Sequence, residues 1–300
     1  MSSQPIPSSS PPSPLDRRAL VLGAALAALA ALAGCGSSSS SGATTPEPAP
    51  AAATEPAATP VEAGPRDVTD VTVTPELKAL VDAPDRTPDD RKLDAGRKPG
   101  ELLAFAGIKP GMKVAEIASA GGYTTEILAR AVAPGGVVYA VNSKAILGFV
   151  GKAWDTRLAR PAMKTAVRSD RELEDPLPPE AKDLDAVFIV LFYHDLYWIK
   201  TDRARMNAAV FAALKPGGIY VVVDHSTADG GGDTQVQSLH RIEESTVRED
   251  VTKAGFKLIE TASFLRNPDD KRDWNASPMA AAARRGTSDR FVLKFQKPVQ

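Results

Sequence analysis

From residue 71 onward, apolar and polar positions follow two alternating rhythms. Short runs of almost wholly apolar residues are separated by stretches with apolar residues three and four apart. These are the signatures of buried strands and of helices covered on one face. Val114-Ala115-Glu116-Ile117 reads as a first strand, entered through Lys109-Pro110-Gly111. Ile127, Leu128, Ala131 and Val132 follow at helical spacing within residues 124–133, and residues 136–141 form a second strand. Residues 186–192 are almost wholly apolar, as a central strand covered on both faces should be. Residues 206–214 read as helix, and Lys215-Pro216-Gly217-Gly218 turns the chain into a buried strand over 219–223. A helix over 235–254, capped by Gly255, and closing strands over 257–259 and 291–295 complete the pattern. The repeated strand, Gly-containing turn and helix predict an α/β fold. Its sheet should be mostly parallel, with helices on both faces. Ligands of such sheets bind at the carboxyl ends of the strands.

The first 65 residues follow neither rhythm. Arg17-Arg18, an apolar run over 19–33 and then small residues have the form of a secretory signal peptide. The run is shorter than the roughly 20 residues a spanning helix needs. Residues 36–65 are Gly, Ser, Ala, Thr, Pro and Glu with hardly a large apolar side chain. Such a stretch cannot bury enough surface to order itself and reads as a disordered tether, with a reach of roughly 90 Å. The expected organisation is a signal peptide over 1–34, a tether over 35–65 and a folded domain over 66–300. Leu32-Ala33-Gly34-Cys35 resembles the lipobox of bacterial lipoproteins. That resemblance implies cleavage before Cys35, lipidation of Cys35, and a domain anchored in the cell envelope, facing the periplasm or exterior. Cys35 is the only cysteine, so no disulfide forms within the domain. A formal net charge of −1 argues against a nucleic-acid partner.

Several segments of the folded domain are recognisable. Glu116-Ile117-Ala118-Ser119-Ala120-Gly121-Gly122-Tyr123 sets an acid before a turn of small residues, between a strand and a helix. Leu214-Lys215-Pro216-Gly217-Gly218 and Ala254-Gly255-Phe256 precede strands, and residues 290–295 close the domain. These segments resemble class I S-adenosylmethionine-dependent methyltransferases over roughly residues 95–297. Phe192-Tyr193-His194-Asp195, Asp224-His225 and Leu239-His240-Arg241-Ile242 further resemble a group of bacterial proteins predicted to be methyltransferases. The resemblance implies a Rossmann-like fold with a seven-stranded, mostly parallel sheet and an antiparallel last strand. It also implies S-adenosylmethionine as cofactor, and methyl transfer to a small molecule or an envelope component. By the same resemblance, Glu116 meets the methionine ammonium, directly or through water. Ala118, Ala120, Gly121, Gly122 and Tyr123 form the turn around the cofactor, where small residues and a helix N-terminus give backbone access. Asn142 stands where the family carries a ribose-binding acid, and offers one amide oxygen instead of a carboxylate. Asp170 is a candidate for the adenine amine, or equally a solvated acid beside Arg168 and Arg171. Ala118 and Ala120 replace usual glycines. They fit only with negative φ and methyl groups turned from the ligand. The turn could also be a tight connection without a ligand.

All three histidines lie in the second half of the chain. His194 and His225 follow strands, so both belong at the carboxyl edge. On a continuous helix His240 shares an inward stripe with Val236, Val247, Val251 and Ala254. Asp195 and Asp224 are their sequence neighbours. The candidate catalytic set is His194, Asp195, Tyr193, His225 and His240, with His194 or Asp195 as general base. Tyr193 and Tyr123 could line the methyl path or simply pack. The spacing matches no recognised metal motif, so a metal is not expected. In the alternative chemistry His194, Asp195, Asp224, His225 and His240 hold a divalent ion. Arg241, Arg248, Arg266, Asp269 and Asp270 read mostly as surface charges, and residues 267–287 as a flexible insertion. The cofactor is made inside the cell while the signal sequence points outward. A non-catalytic binding lipoprotein on the same scaffold is therefore the alternative from another class.

Overall fold

The computed structural model describes residues 64–299. The signal peptide, Cys35 and all but the last two residues of the tether lie outside the described residues. The strands are β1 (Arg66–Val68), β2 (Lys113–Ile117), β3 (Val137–Asn142), β4 (Ala166–Asp170), β5 (Leu184–Val190), β6 (Leu214–His225), β7 (Lys257–Ala262) and β8 (Arg290–Gln296). Among the described residues they form one eight-stranded sheet in the order β1-β7-β8-β6-β5-β2-β3-β4. Every pairing is parallel except those of β8, which runs antiparallel to β6 and β7. The fold is therefore the expected α/β one with one strand more than the seven predicted. The extra strand, β1, is three residues with one apolar side chain, too short and polar for a period to show. It is held at the edge by its pairing with β7 and by the Arg66–Glu260 ion pair.

The helices are α1 (Pro75–Val81), α2 (Pro88–Arg97), α3 (Pro99–Ala106), α4 (Tyr123–Val132), α5 (Lys144–Leu158), α6 (Tyr193–Trp198), α7 (Arg203–Ala213), α8 (Val236–Leu239) and α9 (Glu244–Lys253). Thr74-Pro75 and Thr87-Pro88 start α1 and α2. Each threonine hydroxyl accepts an amide of the first turn, and proline fits where no amide partner exists. Alternate side chains of the central strands feed two cores. Ile117, Ile189 and Val222 face α6, α7 and α9, while Phe188, Val221 and Val223 face α3 and α4. Residue parity therefore decides which layer a strand-end side chain enters.

Three sequence expectations are corrected. The helix predicted over 235–254 is two helices. Its chain leaves helical geometry at His240 (φ 51°), and Ile242 then bridges Ser226 in a short parallel contact. Arg241 explains the break. It is fully buried, donating to Asp270, Ser226 O and Trp274 O, rather than a surface charge. The segment 267–287 is docked, with Ala276 and Ala281 buried and Ala276 N donating to Leu239 O at 2.8 Å.

Gly122 opens α4 at φ 78°, and a Cβ there would lie 2.5 Å from the Trp154 ring. Its need for glycine is thus the close passage of α5. Arg157 of α5 then joins Asp90 of α2 and Glu126 of α4, fixing the frame around the turn.

Candidate functional site

The residues 116–123 cross the carboxyl edge of the sheet between β2 and α4. Glu116 is buried on the α4 face, where its carboxylate accepts the Thr125 hydroxyl. Burial pushes this carboxyl up to about 7, against the pull of the Thr125 and Thr124 hydroxyls and the Arg97 charge. Ala118 and Ala120 have φ of 57° and 47°. The expectation of negative φ is thus reversed. The backbone keeps the left-handed path of a glycine turn although the residues are alanine. Asn142, buried at the end of β3, holds that path. It accepts Ala120 N at 2.7 Å and donates to Ala120 O at 3.1 Å. Its amide, expected at a ribose hydroxyl, is engaged with the turn itself. No described residue lies within 4 Å of a Cβ built on Gly121, so the turn is open to them there. Left-handed alanine costs about 1 kcal/mol relative to glycine. Ala118→Gly and Ala120→Gly should each raise the unfolding free energy by about that amount in urea titrations. An unchanged or lower midpoint would contradict the strain.

Beside the turn lies a cavity lined in part by Arg97, Tyr123, Thr124, Leu191, Val223 and Arg290. Tyr123 donates its hydroxyl to Asp94 at 2.5 Å, and Arg97 lies over its ring at 4.7 Å. Arg290 donates to Ser288 Oγ and to Gly96 O. Among the described residues neither arginine forms an ion pair with a carboxylate. Burial, and then their mutual repulsion in the case of Arg290, lowers the pKa of both, that of Arg290 to about 10. Two arginines therefore line the cavity, each without a directly paired carboxylate among the described residues. Neither was expected from sequence. Arg97 belongs to a helix that only the Thr-Pro signal would have revealed, and Arg290 opens the last strand.

The histidines gather at the ends of β5 and β6. Asp224 shares the parity of Val222 and enters the α6 layer. There it accepts His194 Nδ1 at 2.7 Å and the amides of His194 and His225, each at 2.7 Å. His194 Nε2 is 3.2 Å from His240 Nδ1 and 3.3 Å from Asp195 Oδ1, which is itself 3.2 Å from His240 Nδ1. Trp198 Nε1 donates to the same Asp195 oxygen at 2.6 Å. Burial opposes charge on His194, but Asp224 and Asp195 outweigh it and raise the imidazole to about 10. Burial also opposes the Asp195 charge, and its hydrogen bonds from His194, His240 and Trp198 still hold it well below the usual carboxylate range.

His225 has the opposite parity and turns toward the α4 layer. Its Nδ1 is 2.7 Å from Ser288 Oγ, and burial, then Arg290, pushes its pKa well below the ordinary value. It meets His194 only edge-on, ring centroids 5.7 Å apart. Tyr193 is set apart from both groups. Fully buried among the helices, it accepts Asn207 Nδ2 at 2.9 Å and lies 3.4 Å from Asp250. Of the two readings of Tyr193, its surroundings fit packing between α6, α7 and α9. Asp170 ends the edge strand β4, exposed and paired with Arg168 at 2.8 Å, as a solvated acid would be. His240 reaches the edge as expected, but through a left-handed cap at the end of α8 rather than an inward helical stripe.

No protein-family model matches the chain, and no curated protein matches it in sequence. Solved structures do match in fold. An S-adenosylmethionine-dependent methyltransferase from Aquifex aeolicus is 16% identical with a TM-score of 0.50, covering 74% of this chain and 96% of its own. An S-adenosylmethionine-dependent O-methyltransferase from Thermotoga maritima is 18% identical with a TM-score of 0.46, covering 76% of this chain and 72% of its own. The order, the direction of the last strand and the likeness to the Aquifex protein agree: this chain has a Rossmann-like methyltransferase fold.

Proposed function

We propose that the domain is an S-adenosylmethionine-dependent methyltransferase whose cofactor lies over residues 116–123. The observation that carries this reading is a pair of opposite charges at the turn. Among the described residues Glu116 forms no ion pair and Arg97 forms none either, although each feels the other's charge. The amino-acid end of the cofactor is the complementary zwitterion, with its ammonium for Glu116 and its carboxylate for Arg97. Open space at Gly121 and the adjacent N-terminus of α4 support the same placement. When bound, the cofactor supplies an electrophilic methyl group on a sulfonium sulfur.

The chain's own contribution is orientation and dryness. Asn142 fixes the turn through Ala120, and Val190, Leu191 and Val223 at the ends of β5 and β6 give the cavity an apolar wall that disfavours water. Asp224 holds His194, which is sealed behind Asp195 and His240, so it orients the acceptor side rather than taking the acceptor's proton. Asp195 and His240 are the more open members of that wall. The acceptor in this reading is a small molecule or an envelope component. It is reached by a lipoprotein anchored at Cys35, whose lipobox supports an outward-facing location. Gly121→Trp tests the placement. With no described residue within 4 Å of a Cβ there and no positive φ, the variant should fold, as circular dichroism would show, while cofactor affinity falls at least tenfold. Undiminished affinity in the folded variant would remove the cofactor from this turn.

A further inference from the structure

The His194 cluster brings three donor atoms close enough to share one ion. Three potential ligand atoms stand at the corners of a nearly equilateral triangle. His194 Nε2 to His240 Nδ1 is 3.2 Å, His240 Nδ1 to Asp195 Oδ1 is 3.2 Å, and His194 Nε2 to Asp195 Oδ1 is 3.3 Å. Ligands about 2.0–2.1 Å from a tetrahedral zinc ion are separated by about 3.3 Å. We propose that His194, Asp195 and His240 form a site for one divalent first-row transition-metal ion, zinc among those the spacing fits, with the fourth position open to solvent.

Three further observations support this site. The first is the orientation of His194. Its Nδ1 meets a fully buried carboxylate, Asp224, which also accepts the His194 amide, so the ring is held with Nε2 toward the triangle. A carboxylate behind a histidine, fixing its tautomer and raising its basicity, is the usual support of a metal-binding imidazole. The second is backbone strain at the same place. His240 is left-handed at φ 51° and Leu191, before α6, at φ 57°. Strained residues away from glycine persist where the surroundings hold them, and they concentrate at functional sites. The third is exposure. The side chains of Asp195 and His240 keep 17% and 22% of their surface, so the triangle is reachable from solvent while His194 is sealed behind it.

The geometry also reduces the five-residue set suggested by the sequence. Asp224 is an orienting group with its oxygens already engaged, and His225 points into the other layer toward Ser288. The donor set of two imidazoles and one carboxylate suits zinc, iron, cobalt or manganese, and a site of three protein ligands leaves a position for water or an oxygen or sulfur donor. The site stands whether or not the domain transfers methyl groups.

The test uses the purified chain, stripped with chelator and titrated with Co2+ by visible absorption and with Zn2+ by calorimetry. One ion per chain is expected, with the intense visible bands of tetrahedral Co2+ and micromolar or tighter affinity. His240→Asn keeps a residue tolerant of the left-handed backbone, and Asp195→Asn keeps an oxygen for Trp198. Each should bind at least tenfold more weakly, with circular dichroism showing the fold intact. The proposal is overturned if the wild-type chain takes up no stoichiometric ion. It is also overturned if wild type and the folded variants bind alike, which would mark surface binding only.

Discussion

Replacing Asp270 with alanine should lower the unfolding free energy by about 3–5 kcal/mol, the usual cost of leaving one partner of a buried ion pair alone. The side chains of Arg241 and Asp270 are 0% and 1% exposed and lie 2.8 Å apart. Asp270 also accepts Trp274 Nε1 at 2.7 Å, Asp289 N at 2.6 Å and Arg272 N at 3.0 Å. Alanine therefore orphans several donors as well as the guanidinium, one of whose nitrogens already lacks a partner. The pair joins the 267–287 segment to the bend between α8 and α9, so its loss should also loosen His240. Urea titration reads the loss directly. A change below about 1 kcal/mol would show that the pair is dispensable and the bend set elsewhere.

Glu116→Gln should stabilise the domain, and by an amount that depends on pH. The folded carboxyl is raised from 4.5 to about 7. Between those values the folded form keeps a proton that the unfolded chain has lost. Wild-type stability therefore falls as pH rises through this window, by about 3 kcal/mol in all. Glutamine retains an oxygen for Thr125 and does not titrate. The advantage of the variant should be near its minimum at pH 4.5, grow through pH 6 and level off near pH 8. Paired urea titrations at these three values check it, and an advantage independent of pH would mean that Glu116 is not a buried acid. The same change should weaken cofactor binding, because an amide cannot balance an ammonium.

The sheet was legible because its central strands are apolar on both faces and separated by glycine-bearing turns. What the sequence hid follows from physical causes. β1 is too short to show a period, and Arg241 has the composition of a surface residue until Asp270 appears opposite it across the fold. Tyr193 and His194 are adjacent in sequence but diverge at the start of α6, one into the helix packing and one onto Asp224. The histidine cluster was visible as a gathering at one edge. Its division into the His194, Asp195 and His240 triangle, the orienting Asp224 and the outlying His225 required strand parity, which puts Asp224 and His225 on opposite faces. Arg97 went unnoticed because its lack of a paired carboxylate among the described residues is a property of the fold and not of the chain.

The most direct measurement of the central claim is a calorimetric titration of the purified chain with S-adenosylmethionine near pH 6.5, in two buffers of different ionisation enthalpy. Free Glu116 is part-protonated there, and the cofactor ammonium requires its carboxylate. Saturable binding at one site with net proton release, lost in Glu116→Gln, is the predicted result. No saturable heat at millimolar cofactor, or binding without proton release, would contradict the placement of the cofactor on Glu116.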